Sequence, residues 1–346
     1  MMKQIHTDRL DPTEEQKARM LAGIRRRAEK PHRMLHPRRV LCVAAAAAVL
    51  CSTTALAVKN NWLNALYPST DPTEVEPLVQ SVENSIHKDG MTFTVEAMLG
   101  DRYNVLLVYT LSRDDGQPLT TDTDIVDWLC YDNYSIVGEP DAFTLGSSFM
   151  LDDDPSDGTL QFAQISYAKD FDSRVQLPMA GQTLQFQSID VFYETPNPDF
   201  VLYGDEAKYD TTFVFSSETE FELPLDYEDA TVRYAGGQTI EKGGIRSQLH
   251  TIYLSPISCT IDLTWSFQTD ALTEPYSTSF QIKLKDGTIW DGADNRLANG
   301  YIDAVPVMKT QTFDDQKNWV FDRIIPVEDV QSIIYDGVEI PLQRAE

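Results

Sequence analysis

Histidine and cysteine are scarce in this sequence, five and four in 346 residues, and where they fall excludes most catalytic and metal chemistry. His6, His32 and His36 lie in the first 39 residues, which hold no cysteine, so a His/Cys zinc site has no ligand set there. Beyond residue 39 only His87 and His250 remain, and no serine elbow, metal-ligand pair or glycine-rich phosphate loop accompanies either. Positive charge is equally scarce there: 17 Lys and Arg stand against 49 Asp and Glu, a balance of −32, whereas residues 1–39 carry +6. So acidic a segment repels nucleic acid, and no nucleic-acid partner is expected. No cofactor and no enzymatic activity are expected either. The run Asp152-Asp153-Asp154-Pro155-Ser156-Asp157-Gly158 has the composition of a calcium loop, but Pro155 interrupts the alternating ligand positions and no Glu closes it. An acidic surface turn is expected there instead.

One long uncharged run is present, 19 residues bounded by Val40 and Val58. As a helix it would extend about 28 Å, close to the thickness of a bilayer's hydrocarbon core. It reads as a single transmembrane helix. The other reading is the apolar region of a signal peptide, with Ala55-Leu56-Ala57 as the cleavage site. The 39-residue basic segment in front is long for a signal peptide and favours retention. Residues 20–39 hold seven Lys or Arg and the 20 residues after the span hold one, Lys59. The positive-inside rule then puts the N-terminus in the cytoplasm and the rest outside the cell membrane. Trp62 and Tyr67, just past the span, fit an aromatic anchor at the outer interface, or equally a packing contact with the external part.

The tail carries one helix signal. Asp11-Pro12-Thr13-Glu14 reads as an N-cap, a proline at the first helical position and a carboxylate two residues on, and the helix would stop before Pro31. Met20, Leu21 and Ile24 form a narrow apolar stripe suited to docking on a partner, followed by Arg25, Arg26 and Arg27. A basic tail that only sets topology is the other reading.

After the span, residues 59–77 read as an acidic spacer, with 68–77 extended and solvated. Short strand patterns follow. Residues 91–99 alternate, 103–111 are more continuously apolar, and Gly100-Asp101-Arg102 joins them as a hairpin. Further strands are expected at 128–137, 142–150, 160–167 and 183–193, then at 212–215, 220–223, 231–234, 248–254, 258–267, 279–284, 288–290 and 321–325. A turn over 326–329 precedes two last strands, 330–335 and 338–342. The proline-rich stretch 195–199 is the expected boundary. The fold class is therefore mainly β: two tandem antiparallel β-sandwich, immunoglobulin-like external domains, 78–198 and 199–346, after one transmembrane helix and a short cytoplasmic helix. Cys259 shares an apolar strand face with Ile257, Ile261 and Leu263, where a buried free thiol is expected.

The order of basic helix, Arg-rich stretch, Ala-rich span, acidic spacer and then ENSIHKDGMTFTVEAMLGDRYNVLLVYTLS resembles the bacterial membrane proteins of the domain-of-unknown-function family numbered 4179. The tail segment QKARMLAGIRRRAE is similar to their intracellular helix. IYLSPISCTIDL and DRIIPVEDVQSIIYDGVEIPL resemble the immunoglobulin-like module that follows. The resemblance implies an anti-sigma-factor-like protein whose tail captures an extracytoplasmic-function sigma factor or other cytoplasmic regulator, while the external β domains sense an envelope signal. Capture through a zinc motif is not implied, because the tail lacks one. A surface-displayed binding or adhesion module is the competing expectation.

Overall fold

The computed structural model describes residues 62–345 apart from 64, 69, 71–74, 153, 172–174, 199–207, 219, 268–278 and 292–310. The tail residues Met20, Leu21, Ile24, Arg25, Arg26 and Arg27, and the span bounded by Val40 and Val58, lie outside the described residues. Among the described residues no helix is long and apolar enough to cross a membrane.

The chain is mainly β, with four antiparallel sheets among the described residues. Sheet I runs in the order β1 (Gln80–Lys88), β2 (Met91–Gly100), β3 (Asn104–Arg113), β6 (Thr159–Asp170), β5 (Ala142–Asp152), and β7 (Gln176–Leu177) also pairs with β6. In sheet II, β8 (Thr183–Pro196) pairs with β4 (Asp127–Ile136), β9 (Tyr209–Ser217) and β10 (Phe221–Pro224). Sheet III is built on β13 (Ile245–Leu254) and β14 (Ser258–Phe267). It adds β11 (Val232–Ala235) and β12 (Thr239–Lys242) on one side and β17 (Gln311–Val320) on the other. Sheet IV has the order β16 (Ile289–Asp291), β15 (Phe280–Leu284), β18 (Val330–Tyr335), β19 (Val338–Pro341). Asp89-Gly90 and Asp336-Gly337 take positive φ at both residues, the backbone that closes a two-residue hairpin with the twist of its strands.

Two apolar cores result. The first gathers the inward residues of sheets I and II, among them Phe93, Tyr109, Phe162, Phe186 and Phe215. The second gathers those of sheets III and IV, including Leu249, Ile261, Trp319 and Tyr335. Each holds one buried free thiol, Cys130 in the first and Cys259 in the second.

Three expectations are corrected. The boundary at 198/199 falls inside sheet II, because β9 and β10 hydrogen-bond to β8 and bury Phe215 and Leu223 in the first core. The proline-rich stretch falls between β8 and its own partner β9, and the cores change over between Tyr227 and Tyr234. Residues 321–325 are not a strand. The strand lies one step earlier as β17, whose Asp314, Asp315, Gln316 and Lys317 conceal it from a reading by apolar alternation. The expected solvated spacer also differs, since Val75 is 1% exposed.

Candidate functional site: the junction of the two cores

Sheet I is apolar on both faces. Its second face is covered by the segment that follows the predicted span. Trp62, Leu63 and Leu66 share one side of a helical turn, with Tyr67 N–H donating to the Leu63 carbonyl at 2.8 Å. Together with Tyr67 and Val75 they pack on Ala97, Leu99, Leu106, Val108, Ala163 and Ile165 from sheet I. Ile257, Val320 and Ile324, from the strands and loops of sheet III, complete this third cluster. Trp62, one of the two aromatics read as interfacial or packed, is 1% exposed here, and its indole N–H has no partner among the described residues. Of the sequence-predicted site residues it is the one within the described part of the chain.

Beside the cluster two tight turns face each other. In the first, Asp101 Oδ1 accepts from the backbone N–H of Tyr103 and of Asn104, both at 2.9 Å. In the second, Ser255 Oγ accepts from Ile257 N–H at 3.2 Å and Ser258 N–H at 2.9 Å. Each turn thus satisfies its own backbone and keeps one polar group for the other. Ser255 Oγ donates to Asp101 Oδ2 at 2.6 Å, and Ser258 Oγ donates to the same oxygen. Asn104 Nδ2 lies 3.1 Å from Asp101 Oδ1 and 3.0 Å from Ser258 Oγ. Asn318 Nδ2 on β17 donates to Asn104 Oδ1 at 2.6 Å, and Thr260 Oγ1 donates to Asn318 Oδ1 at 2.9 Å. Asp101, Asn104, Ser255, Ser258 and Thr260 are all buried. The Tyr227 hydroxyl, 3.0 Å from the Asp101 carbonyl, closes the group from the chain that connects the cores. Gly100 is required beneath that ring, since a Cβ there would sit 2.2 Å from a ring carbon of Tyr227.

The junction is electrostatically closed. Burial, then the Asp101 charge, holds the Tyr67 phenol well above its ordinary range, and the same two causes in the same order raise the Cys259 thiol. Neither group ionises near neutrality, so Asp101 faces only neutral donors and hydroxyls. The junction's hydrogen bonds tie the two cores together.

A second carboxylate lies inside the first core. Asp132, on the inward face of β4, accepts from Tyr109 OH at 2.6 Å and from Gln164 Nε2. Burial raises its pKa from 3.8 to about 6 despite both hydrogen bonds. The fold therefore binds this proton more tightly than the unfolded chain does. Its contribution is favourable below pH 4 and is lost as pH rises to 6 and beyond, on the order of 3 kcal/mol in all. Asp132→Asn is expected to raise stability at pH 7 by about 2–3 kcal/mol, with the advantage vanishing near pH 4. Urea melts at the two pH values check this, and an equal effect at both would refute it.

Among the described residues the two histidines and the acidic run make only contacts near themselves in the fold. His87 and His250 are exposed, each against a threonine, Thr92 and Thr264, whose hydroxyls donate to Asp114 and Asp314. In the acidic run, Asp152, Asp154 and Asp157 accept from backbone N–H groups of their own turn. No group of three or more His, Cys, Asp or Glu among the described residues is arranged to hold a metal ion.

Sequence reasoning missed Asp101, Asn104, Ser255, Ser258 and Asp132 as site residues. Asp101 sits in what reads as an ordinary hairpin turn, and Ser255-Pro256 as an ordinary strand break. The available signal was the two turns' shared chemistry, a side-chain acceptor followed by N–H groups two and three residues on.

No protein-family model matches the chain, and no curated protein matches it. A solved structure, a conserved domain protein from Bacillus anthracis, is similar at a TM-score of 0.43 and 11% identity, over 75% of this chain and 77% of that one. At that level it bears on neither fold nor function.

Proposed function

We propose that the chain is a single-pass, N-in membrane protein and an anti-sigma-factor-like regulator, with its tail capturing a cytoplasmic sigma factor and its external part sensing an envelope signal. Sheets I and II form one β-sandwich and sheets III and IV a second, both of immunoglobulin-like type. The observation that supports this is the burial of Trp62, Leu63, Leu66 and Tyr67, four residues past the predicted span, where both cores meet. A passive tether would leave that segment solvated. Here any pull or displacement of the anchor acts directly on the junction, and any rearrangement of the cores acts on the anchor. On the cytoplasmic side Met20, Leu21 and Ile24 would enter an apolar groove of the partner, and Arg25, Arg26 and Arg27 would pair with its acidic rim.

The test is recovery of partners by the full-length membrane protein from its native host, beside a version lacking residues 1–30. A sigma factor is expected with the first and not the second. Replacing Leu21 and Ile24 by Asp should reduce recovery at least tenfold. Capture that survives both changes would sink the docking role of the tail.

A further inference from the structure

The outer face of sheet II carries a row of apolar side chains that no part of the described chain covers. Leu129 on β4, Phe192 on β8 and Phe213 on β9 are directly opposed across three strands, and the last two rings are 5.3 Å apart. Tyr131, one pleat along β4, is 62% exposed and Phe213 is 61% exposed. Among the described residues these are the two most exposed large hydrophobics. With strands about 4.8 Å apart, the row spans about 10 Å.

Carboxylates bracket it. Asp127 and Glu194 form the next outward cross-strand pair on one side, and Asp190, opposite Tyr131, stands on the other. Each is two residues along its strand from the row, or about 7 Å. No ion pair joins these three to a Lys or Arg among the described residues. The face continues with neutral Asn133 and Ser188. Lys88 reaches the edge at β9 but donates to the Ser216 carbonyl.

We infer that this face docks a cationic amphipathic helix, as the ligand-binding surface of the external part. A helix is about 10–12 Å wide, which matches the row, and Lys or Arg flanking its apolar stripe meet the carboxylates on both sides. Charge removes the other occupants. A second copy of the chain would set these carboxylates against each other, and an anionic lipid surface would be repelled. A neutral glycan can hydrogen-bond these carboxylates but draws nothing from their charge. The inference rests on the external placement proposed above, but its test needs no sigma factor, so either can fail alone.

The probe is a fluorescent, amidated 18-residue peptide of Leu and Lys at helical spacing. It is titrated by anisotropy onto the full chain in neutral maltoside micelles, with empty micelles as the blank. Saturable binding above the blank is expected. Tyr131→Ser with Phe213→Ser should weaken it at least tenfold. Asp190→Asn with Glu194→Gln should weaken it similarly and flatten its salt dependence, while thermal melting stays unchanged for both double variants. The inference is overturned by no binding above the blank, by equal affinity of both double variants, or by equal affinity for an all-Lys peptide.

Discussion

Asp101→Ala is expected to cost the protein on the order of 3–5 kcal/mol, and to separate the melting of the two cores. Asp101 accepts from two backbone N–H groups, the Asn104 amide and the hydroxyls of Ser255 and Ser258, all in a buried site. Removing the carboxylate strands those donors, and each unsatisfied buried donor costs about 1–3 kcal/mol, more than a hydrogen bond contributes when made. Relaxation and water entry recover part of that, which sets the range. The two hydroxyls tie Asp101 to the Ser255 turn and the start of β14, beside the Asn104 contacts to Ser258 and Asn318, so their loss should loosen one core from the other rather than unfold either. Asp101→Asn keeps one acceptor oxygen and should lose about half as much. Urea unfolding followed by tryptophan fluorescence is the measurement, because Trp128 reports the first core and Trp265, Trp290 and Trp319 the second. A single transition displaced by less than about 1 kcal/mol would show that the junction is not held by this carboxylate.

Trp62→Ala should have a comparable effect through packing. Truncating a fully buried tryptophan costs about 3–5 kcal/mol, as transfer plus the cavity left behind. The described residues of this segment join the rest mainly through this apolar contact, so the loss should appear as local undocking. Hydrogen exchange checks it: the amide of Tyr67, bonded to the Leu63 carbonyl, and that of Ile324, bonded to Thr70 Oγ1, should exchange at least a hundredfold faster. Trp62→Phe is the control. It keeps most of the apolar area and removes an indole N–H that finds no partner among the described residues, so it should cost under about 1.5 kcal/mol. If the alanine variant exchanged like the parent, the segment would not be docked in solution and the proposed link to the anchor would fall with it.

The strands were legible wherever one face of a sheet alone is buried. β14 alternates Cys259, Ile261, Leu263 and Trp265 with Thr260, Asp262 and Thr264, and its bounds match expectation. β3 reads as a continuous apolar run because both of its faces are covered, Leu107 and Tyr109 by the first core and Leu106 and Val108 by the Trp62 segment. That run was itself a sign of a third layer, but nothing local names what supplies it. β17 and β1 were illegible for the opposite reason, being so rich in polar residues that apolar alternation barely registers. The junction was hidden because its members lie about 150 positions apart in sequence, as with Asp101 and Ser255, and a turn residue looks the same whether it caps itself or joins two bodies.

The pairing of β9 and β10 with β8 also bears on how such chains can be recombined. A gene cut at residue 198 would encode a central strand stripped of two neighbours, and would append those neighbours to an unrelated core. A cut that leaves both cores whole falls beyond Tyr227. Even there an incoming second core would have to meet Asp101 with donors of its own in place of the Ser255 and Ser258 hydroxyls, which couples the sequence of one half to that of the other.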